Sequence, residues 1–286
     1  MSTLPNKVVL VTGCSSGIGK ATALRLARDG YVVYATARRV SSLGELEAAG
    51  CRTLALDVTD EASMVAAVRH IEAEHGSVGA LVNNAGYSQS GAVESVPLEA
   101  VRAQFETNVF GLLRLTQLVL PAMRKAGGGR VLNVSSMGGT LVFPGGGVYH
   151  ASKYAVEALS DALRFELRGF GVDVVLIQPG IIKTGFAEAV SGHMGGNKLD
   201  DGPYKAFNAA VLQATVDVYE KGPLAKLGGV PEDVAGVISK ALAARRPRAR
   251  YPVTMSASML MTQRQLSPDW AWDLFLSTSF PQPQAS

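Results

Sequence analysis

Short apolar runs alternate with longer stretches of helical period over the first 180 or so residues. Residues 7–11 read as a buried strand and 17–29 as a helix. Runs at 32–36 and 53–56 follow, with a short helix at 41–48 between them. A helix at 61–74 leads to a run at 80–82, a long helix at 98–125 leads to 131–134, and a helix at 149–168 leads to 172–177. Continuous apolar runs separated by helices predict a parallel sheet covered on both faces. Right-handed crossovers then give a doubly wound α/β arrangement. Beyond residue 180 the rhythm changes. Residues 185–230 hold no clear strand and are expected to form a lid or binding segment. A helix at 231–244 has Pro231 in its first turn, and 250–254 is expected to be a seventh strand. The tail from 256 is rich in Met, Leu and Trp. The expected organisation is one domain over 1–286: a seven-stranded parallel sheet flanked by helices, a lid at 185–230 and a C-terminal extension at 256–286.

Composition supports a large core, with 47% hydrophobic and 18% charged residues. A net charge of +3 is too small to imply a polyanionic partner by itself. The two cysteines, Cys14 and Cys51, do not make a disulfide scaffold, and they form no metal-ligand spacing with the four histidines, so no metal is expected. The N-terminus runs from a short apolar stretch straight into glycine, unlike a signal peptide. No apolar run approaches a membrane span. The expectation is a cytoplasmic protein without an integral membrane segment.

The first strand ends in Thr12-Gly13-Cys14-Ser15-Ser16-Gly17-Ile18-Gly19, and a helix starts at once. Glycines let the backbone turn tightly and approach a pyrophosphate, and the helix N-terminus offers free N–H groups. Gly13, Ser15, Ser16, Gly17, Ile18 and Gly19 are therefore candidate dinucleotide contacts. A bland tight turn is the alternative. NAD binding would call for a carboxylate about 20 residues on. Here Arg38 and Arg39 stand at the end of the second strand, and guanidinium forks suit a 2′-phosphate. NADP(H) is expected over NAD(H), with two solvated loop arginines as the alternative.

Tyr149 and Lys153 are four apart on a predicted helix and share a face, with a coincidental surface pair as the alternative. A phenol is a poor proton shuttle near neutrality, and an adjacent ammonium lowers its pKa. Ser136 ends a strand at the edge where doubly wound folds bind ligands, where it could donate a hydrogen bond to a substrate carbonyl; a cap or turn residue is the alternative.

Thr12-Gly13-x-x-x-Gly17-Ile18-Gly19, Asn83-Asn84-Ala85-Gly86, Asn108, Ser136, Tyr149-x-x-x-Lys153 and Pro179-Gly180-x-x-x-Thr184 occur in that order. Together they resemble the short-chain dehydrogenase/reductase family, with its Rossmann-type fold. The resemblance implies Tyr149 as general acid/base, and Lys153 as the group that lowers its pKa and binds the nicotinamide ribose. It implies Ser136 orienting the substrate oxygen and Asn108 anchoring a water in a proton relay, at a local kink of its helix; a buried, satisfied amide is the alternative for Asn108. It also implies Asp57 and Val58 at the adenine, Asn84, Ala85 and Gly86 along the adenosine side, and Pro179, Gly180, Ile182 and Thr184 near the nicotinamide, with Thr184 on the carboxamide. Pairing through the helices that hold Asn108 and Tyr149 implies a homodimer or homotetramer.

Apolar residues of the lid (Phe186, Met194, Tyr204, Phe207, Val211, Leu212, Val218, Tyr219) and tail (Met255, Met259, Leu260, Met261, Trp270, Trp272, Phe275) suit a lipophilic ligand. Ordinary core packing or an oligomer contact is the alternative. The extended tail and the Arg38 region are similar to the steroid- and retinol-oxidising branch of the family. The expected function is NADP(H)-dependent interconversion of a hydrophobic secondary alcohol and its ketone. A 3-oxoacyl thioester reductase and a non-catalytic dinucleotide sensor are the alternatives. The basic stretch 245–250 reads as a solvated connector, not a nucleic-acid site.

Overall fold

A computed structural model describes residues 4–183, 202–220, 226–280 and 282–283. Seven parallel strands form one sheet: β1 (Val8–Val11), β2 (Val32–Ala37), β3 (Arg52–Ala55), β4 (Ala80–Asn83), β5 (Gly129–Val134), β6 (Val172–Gln178) and β7 (Arg250–Pro252), in the order β3-β2-β1-β4-β5-β6-β7. The expected seventh strand is present and ends at Pro252, whose missing N–H suits an edge strand. Helices α1 (Gly17–Arg28), α2 (Gly44–Ala48), α3 (Glu61–His75), α4 (Leu98–Phe105), α5 (Leu112–Lys125) and α6 (Gly147–Glu166) fill the crossovers. The C-terminal part adds α7 (Lys205–Glu220), α8 (Pro231–Ala243), α9 (Met255–Leu266) and α10 (Asp269–Ser279).

Side chains of the central strands alternate between two cores, which is why β1 is apolar at every position and the other inner strands are mostly so. Val9, Val11, Val33 and Ala35 face a core shared with Leu26 of α1 and Val234 and Ile238 of α8. Val8, Leu10 and Tyr34 face the opposite core, with Met64, Val68 and Ile71 of α3 and Leu115, Val119 and Met123 of α5. Asp60 starts α3 by accepting from the N–H groups of Ala62 (2.9 Å) and Ser63 (3.4 Å), and Gly76 ends it at φ 77°. Arg130 of β5 is wholly buried. It donates to the carbonyls of Ala241 and Leu242 at the end of α8, both at 2.7 Å, and pairs with Asp173, its register partner on β6, at 2.7 Å. That one guanidinium satisfies orphan helix carbonyls and ties α8 to the sheet.

The long helix expected at 98–125 is divided. Glu106–Gly111 form a π-helical stretch between α4 and α5, and it carries Asn108. The extra residue per turn swings Asn108 inward, the local kink expected there. The order of strands reverses between β1 and β4, so a crevice opens at their C-terminal ends.

Candidate active site

The crevice is a cavity of about 1190 Å³. At one end β1 passes through Thr12 into the glycine loop. The Thr12 hydroxyl oxygen accepts from the N–H groups of Asn84 and Ala85, each at 3.0 Å. The Asn84 side chain donates back to the carbonyls of Thr12 (2.9 Å) and Gly13 (3.2 Å). This lashing holds the β1 and β4 ends together and shapes the cradle. Gly13 sits at φ 70°, and a Cβ on Gly19 would stand 2.2 Å from the Gly13 carbonyl oxygen. Ser16 precedes α1 without a side-chain cap, so the first N–H groups of that helix are left for a ligand. Gly13, Ser15, Ser16, Gly17 and Ile18 line the cavity. An open helix N-terminus over a backbone surface that no Cβ can occupy fits a pyrophosphate. Cys14 points the other way. It is buried, its Sγ lies 3.3 Å from the Val11 carbonyl, and burial pushes its thiol up to about 12.

Arg38, Asp57, Val58, Asn84, Ala85 and Gly86 continue the lining. Arg38 is exposed at the end of β2 with no carboxylate following it on that strand. Arg39, also exposed, lies outside the lining, as does Gly19 beneath the loop. Asp57 accepts from the N–H (2.9 Å) and hydroxyl (2.8 Å) of Thr59.

In the middle of the cavity Ser136, Tyr149 and Lys153 meet. Ser136 follows β5, and its oxygen accepts from the Gly138 N–H at 3.0 Å. It also hydrogen-bonds the Tyr149 hydroxyl. One turn along α6, the Lys153 Nζ donates to the Val134 carbonyl at 2.9 Å and stands 5.8 Å from the centre of the Tyr149 ring. Burial holds the Lys153 ammonium down at about 8, opposed by the Glu157 carboxylate a further turn on. Burial also pushes the Tyr149 phenol upward, opposed by its bond to Ser136. That upward direction is opposite to the one expected from the spacing with Lys153. The Lys153 Nζ donates to the backbone, and burial is the largest influence on the phenol.

Asn108 lies behind this group, outside the cavity lining. It donates to the Tyr87 carbonyl (2.9 Å) and the Ser152 hydroxyl (3.1 Å), and accepts from the Tyr87 N–H (3.1 Å). A Cβ on Gly86 would stand 3.0 Å from its Oδ1 and 3.8 Å from the Lys153 Nζ. Gly86 thus leaves a small space between the two. Glu157 is itself buried. It accepts from Gln178 (2.9 Å) and from Arg250 (3.0 Å), and Arg250 also pairs with Asp161 at 2.7 Å. The last arginine of the basic stretch is thus committed to the fold.

Pro179, Gly180 and Ile182 line the cavity beyond β6. Thr184, Phe186 and Met194 lie outside the described residues, as does the side chain of Tyr219. The far wall is apolar. It takes Val211 and Val218 from α7, Leu260 from α9, and Phe275 and Phe280 from the end of the chain. Trp272 packs behind it with Leu141 and Leu260. The tail therefore covers its own chain's cavity. Met255, Met259 and Trp270 of the expected apolar set face outward instead. Phe143 and His150 also line the cavity and were not among the residues expected there. His150 adjoins Tyr149 in sequence, and that adjacency was its only signal. No described helix is long and apolar enough to cross a membrane.

The pattern described as short chain dehydrogenase matches residues 7–194. Among curated proteins, an NADPH-dependent 3-dehydrocapnine reductase of Ornithobacterium rhinotracheale is 39% identical over 273 residues, 92% of this chain and 93% of that protein. The 17-beta-hydroxysteroid dehydrogenase type 1 of Homo sapiens is 37% identical over 273 residues, 91% of this chain and 81% of that protein. Among solved structures, a short-chain dehydrogenase from Streptomyces avermitilis superposes with a TM-score of 0.79 at 34% identity, covering 96% of this chain and 97% of that one.

Proposed function

The chain belongs to the short-chain dehydrogenase family, NAD(P)-dependent oxidoreductases of CH–OH groups, and we propose that it interconverts a lipophilic secondary alcohol and its ketone with NADP(H). The observation that carries this reading is the placement of Ser136, Tyr149 and Lys153 between a glycine cradle and an apolar wall in one cavity. Arg38 supports NADP(H), because it lines the cavity at the end of β2 where a ribose-binding carboxylate would otherwise stand. The relatives named for a 3-dehydrocapnine reductase and a hydroxysteroid dehydrogenase support a carbonyl or alcohol on an apolar frame.

Ser136 and Tyr149 hydrogen-bond the substrate oxygen from two sides. The nicotinamide, when bound, supplies hydride to the carbonyl carbon or takes it from the carbinol. Tyr149 gives its proton to the oxygen in reduction and takes it back in oxidation. Burial keeps the phenol protonated in the free protein, the state that reduction begins from. The Lys153 ammonium above the Tyr149 ring stabilises the phenolate left behind and holds the nicotinamide ribose. Asn108 keeps the Tyr87 segment against α6 and holds a water in the proton path. Asp57, Val58 and Asn84 to Gly86 form the adenosine side. Pro179, Gly180, Ile182 and Thr184 form the nicotinamide side. Charge stabilisation and positioning of this kind provide most of the rate. Helix α7 and the tail act as the lid. Pairing through α6 and the Asn108 segment belongs to the same reading, with Phe110 and Phe165 exposed there.

Cofactor oxidation with NADPH and NADH against steroid, retinoid, aliphatic and 3-oxoacyl carbonyls tests this, beside Tyr149→Phe. Turnover that prefers NADPH, favours one apolar class and disappears in the variant is expected. Tight NADPH binding without turnover, or turnover unchanged in Tyr149→Phe, would overturn it.

A further inference from the structure

His150 is a polar group of the cavity that the proton transfer leaves unused. The residue is 7% exposed. It stands edge-on between Phe143 and Tyr149, with ring centres 6.1 and 5.6 Å away. Two glycines make the slot. A Cβ on Gly138 would lie 2.4 Å from Nδ1, and one on Gly146 would lie 2.7 Å from Nε2. A ring given a slot by two glycines and clamped by two aromatic residues has one orientation.

That orientation settles the tautomer. Nδ1 lies 3.0 Å from the Gly138 carbonyl oxygen. A carbonyl only accepts, so Nδ1 carries the proton. Burial disfavours the imidazolium, and in the neutral ring with Nδ1 protonated Nε2 presents a lone pair. Nε2 has no hydrogen-bond partner among the described residues, yet it is not one of the polar atoms sealed inside the protein without one. It opens to the cavity that His150 lines. Phe143, Leu260 and Phe275 on the same wall offer no polar atom, while Ser136 and Tyr149 are engaged with each other and with the reacting oxygen.

We propose that His150 Nε2 is a specificity-determining acceptor, selecting lipophilic ketones and alcohols that carry a hydroxyl or amino donor on the carbon beside the reacting one. The proposal rests on the oxidoreductase reading above. A buried lone pair rewards a substrate donor and penalises its absence, because the lone pair then stays unpaired with water displaced. The His150 and Tyr149 ring centres are 5.6 Å apart, so the donor His150 meets lies close to the carbonyl that Tyr149 protonates.

His150 also has a supporting role. Its Nδ1–H holds the Gly138 peptide, whose N–H holds Ser136. Two substitutions separate the roles. In His150→Asn the side-chain amide N–H takes the place of Nδ1–H, and the Nε2 acceptor is lost. In His150→Gln the amide oxygen reaches the Nε2 position, and the bond to Gly138 is lost.

The experiment measures kcat/KM with NADPH for a long-chain ketone and for its α-hydroxy and α-amino analogues, with NADPH binding by fluorescence as the check on folding. Wild type is expected to favour the donor-bearing ketones by about 10- to 100-fold. That preference should fall to near unity in His150→Asn and survive in His150→Gln at a lower absolute rate. Wild-type turnover of all three ketones without preference overturns the proposal and leaves the oxidoreductase reading standing. A preference unchanged in His150→Asn, or lost equally in both variants, also overturns it. No turnover of any ketone by wild type overturns the reading on which it rests.

Discussion

Replacing Lys153 with methionine should abolish turnover and at the same time stabilise the fold at neutral pH. Both effects trace to one buried ammonium. Its folded-state pKa of about 8 lies below the ordinary lysine value of 10.5. Between those values the unfolded chain holds the proton and the native state does not, so stability rises with pH across that window. The penalty is fully present below the lower value. A difference of 2.5 units, from 10.5 minus 8, corresponds to about 3 kcal/mol. Lys153 is 7% exposed, so solvent screening does not reduce this much. Methionine gives up the hydrogen bond to the Val134 carbonyl, about 1 kcal/mol. The net gain is about 2 kcal/mol, or roughly 4–8 °C in Tm for a chain of this size.

Thermal unfolding without cofactor, at about pH 7 and about pH 9.5, measures it. The wild-type penalty falls to less than half at the higher pH, because the native state has already released its proton. The variant's advantage should shrink with it. A Lys153→Met protein less stable than wild type at about pH 7, or one whose advantage does not change with pH, would refute the reasoning. Such a result would mean that the ammonium is satisfied in the free protein and that Lys153 is not held ready for an anionic partner.

Gly19→Ala puts a Cβ against the Gly13 carbonyl, which is backbone and cannot swing away. NADPH affinity by fluorescence titration should fall about 100-fold, the scale of an ångström-sized misplacement, with far-ultraviolet circular dichroism unchanged. Arg38→Ala should raise KM for NADPH about 10-fold or more by removing a charge-assisted bond. KM for NADH should stay nearly the same, and an equal rise for both cofactors would count against a 2′-phosphate contact. Glu157→Gln and Arg250→Gln should move the alkaline limb of the pH–rate profile in opposite directions. The first removes the carboxylate that raises the Lys153 pKa and shifts the limb down, while the second frees that carboxylate and shifts it up. Shifts of the same sign would assign the pair a purely structural role.

The sheet was legible because its physics is local. A strand buried on both faces must be apolar along most of its length, and Val8 to Val11 or Val174 to Ile177 reads as nothing else in an alternating α/β pattern. The glycine loop was legible for the same reason, since a backbone that must come close to a ligand or to itself excludes side chains. Arg130 was not. A buried arginine that caps the α8 carbonyls is defined by partners over a hundred residues away, and nothing beside it in sequence distinguishes it from a solvated one. The tail could be read as apolar but not as closing its own cavity, because the packing of Trp272 on Leu141 is purely tertiary. Tyr149 and Lys153 fall between these cases. Their spacing places two side chains on one face of a helix, and that much was readable. It says nothing about the dielectric in which they sit. On an exposed helix the ammonium would stay near its ordinary value and draw the phenol down. Here the Val134 carbonyl takes the ammonium's hydrogen bond and burial drives both groups towards neutrality. The i, i+4 pair therefore supplies the geometry of a proton relay, while the sheet edge and the Glu157–Arg250 pair behind it set the direction in which the relay is charged.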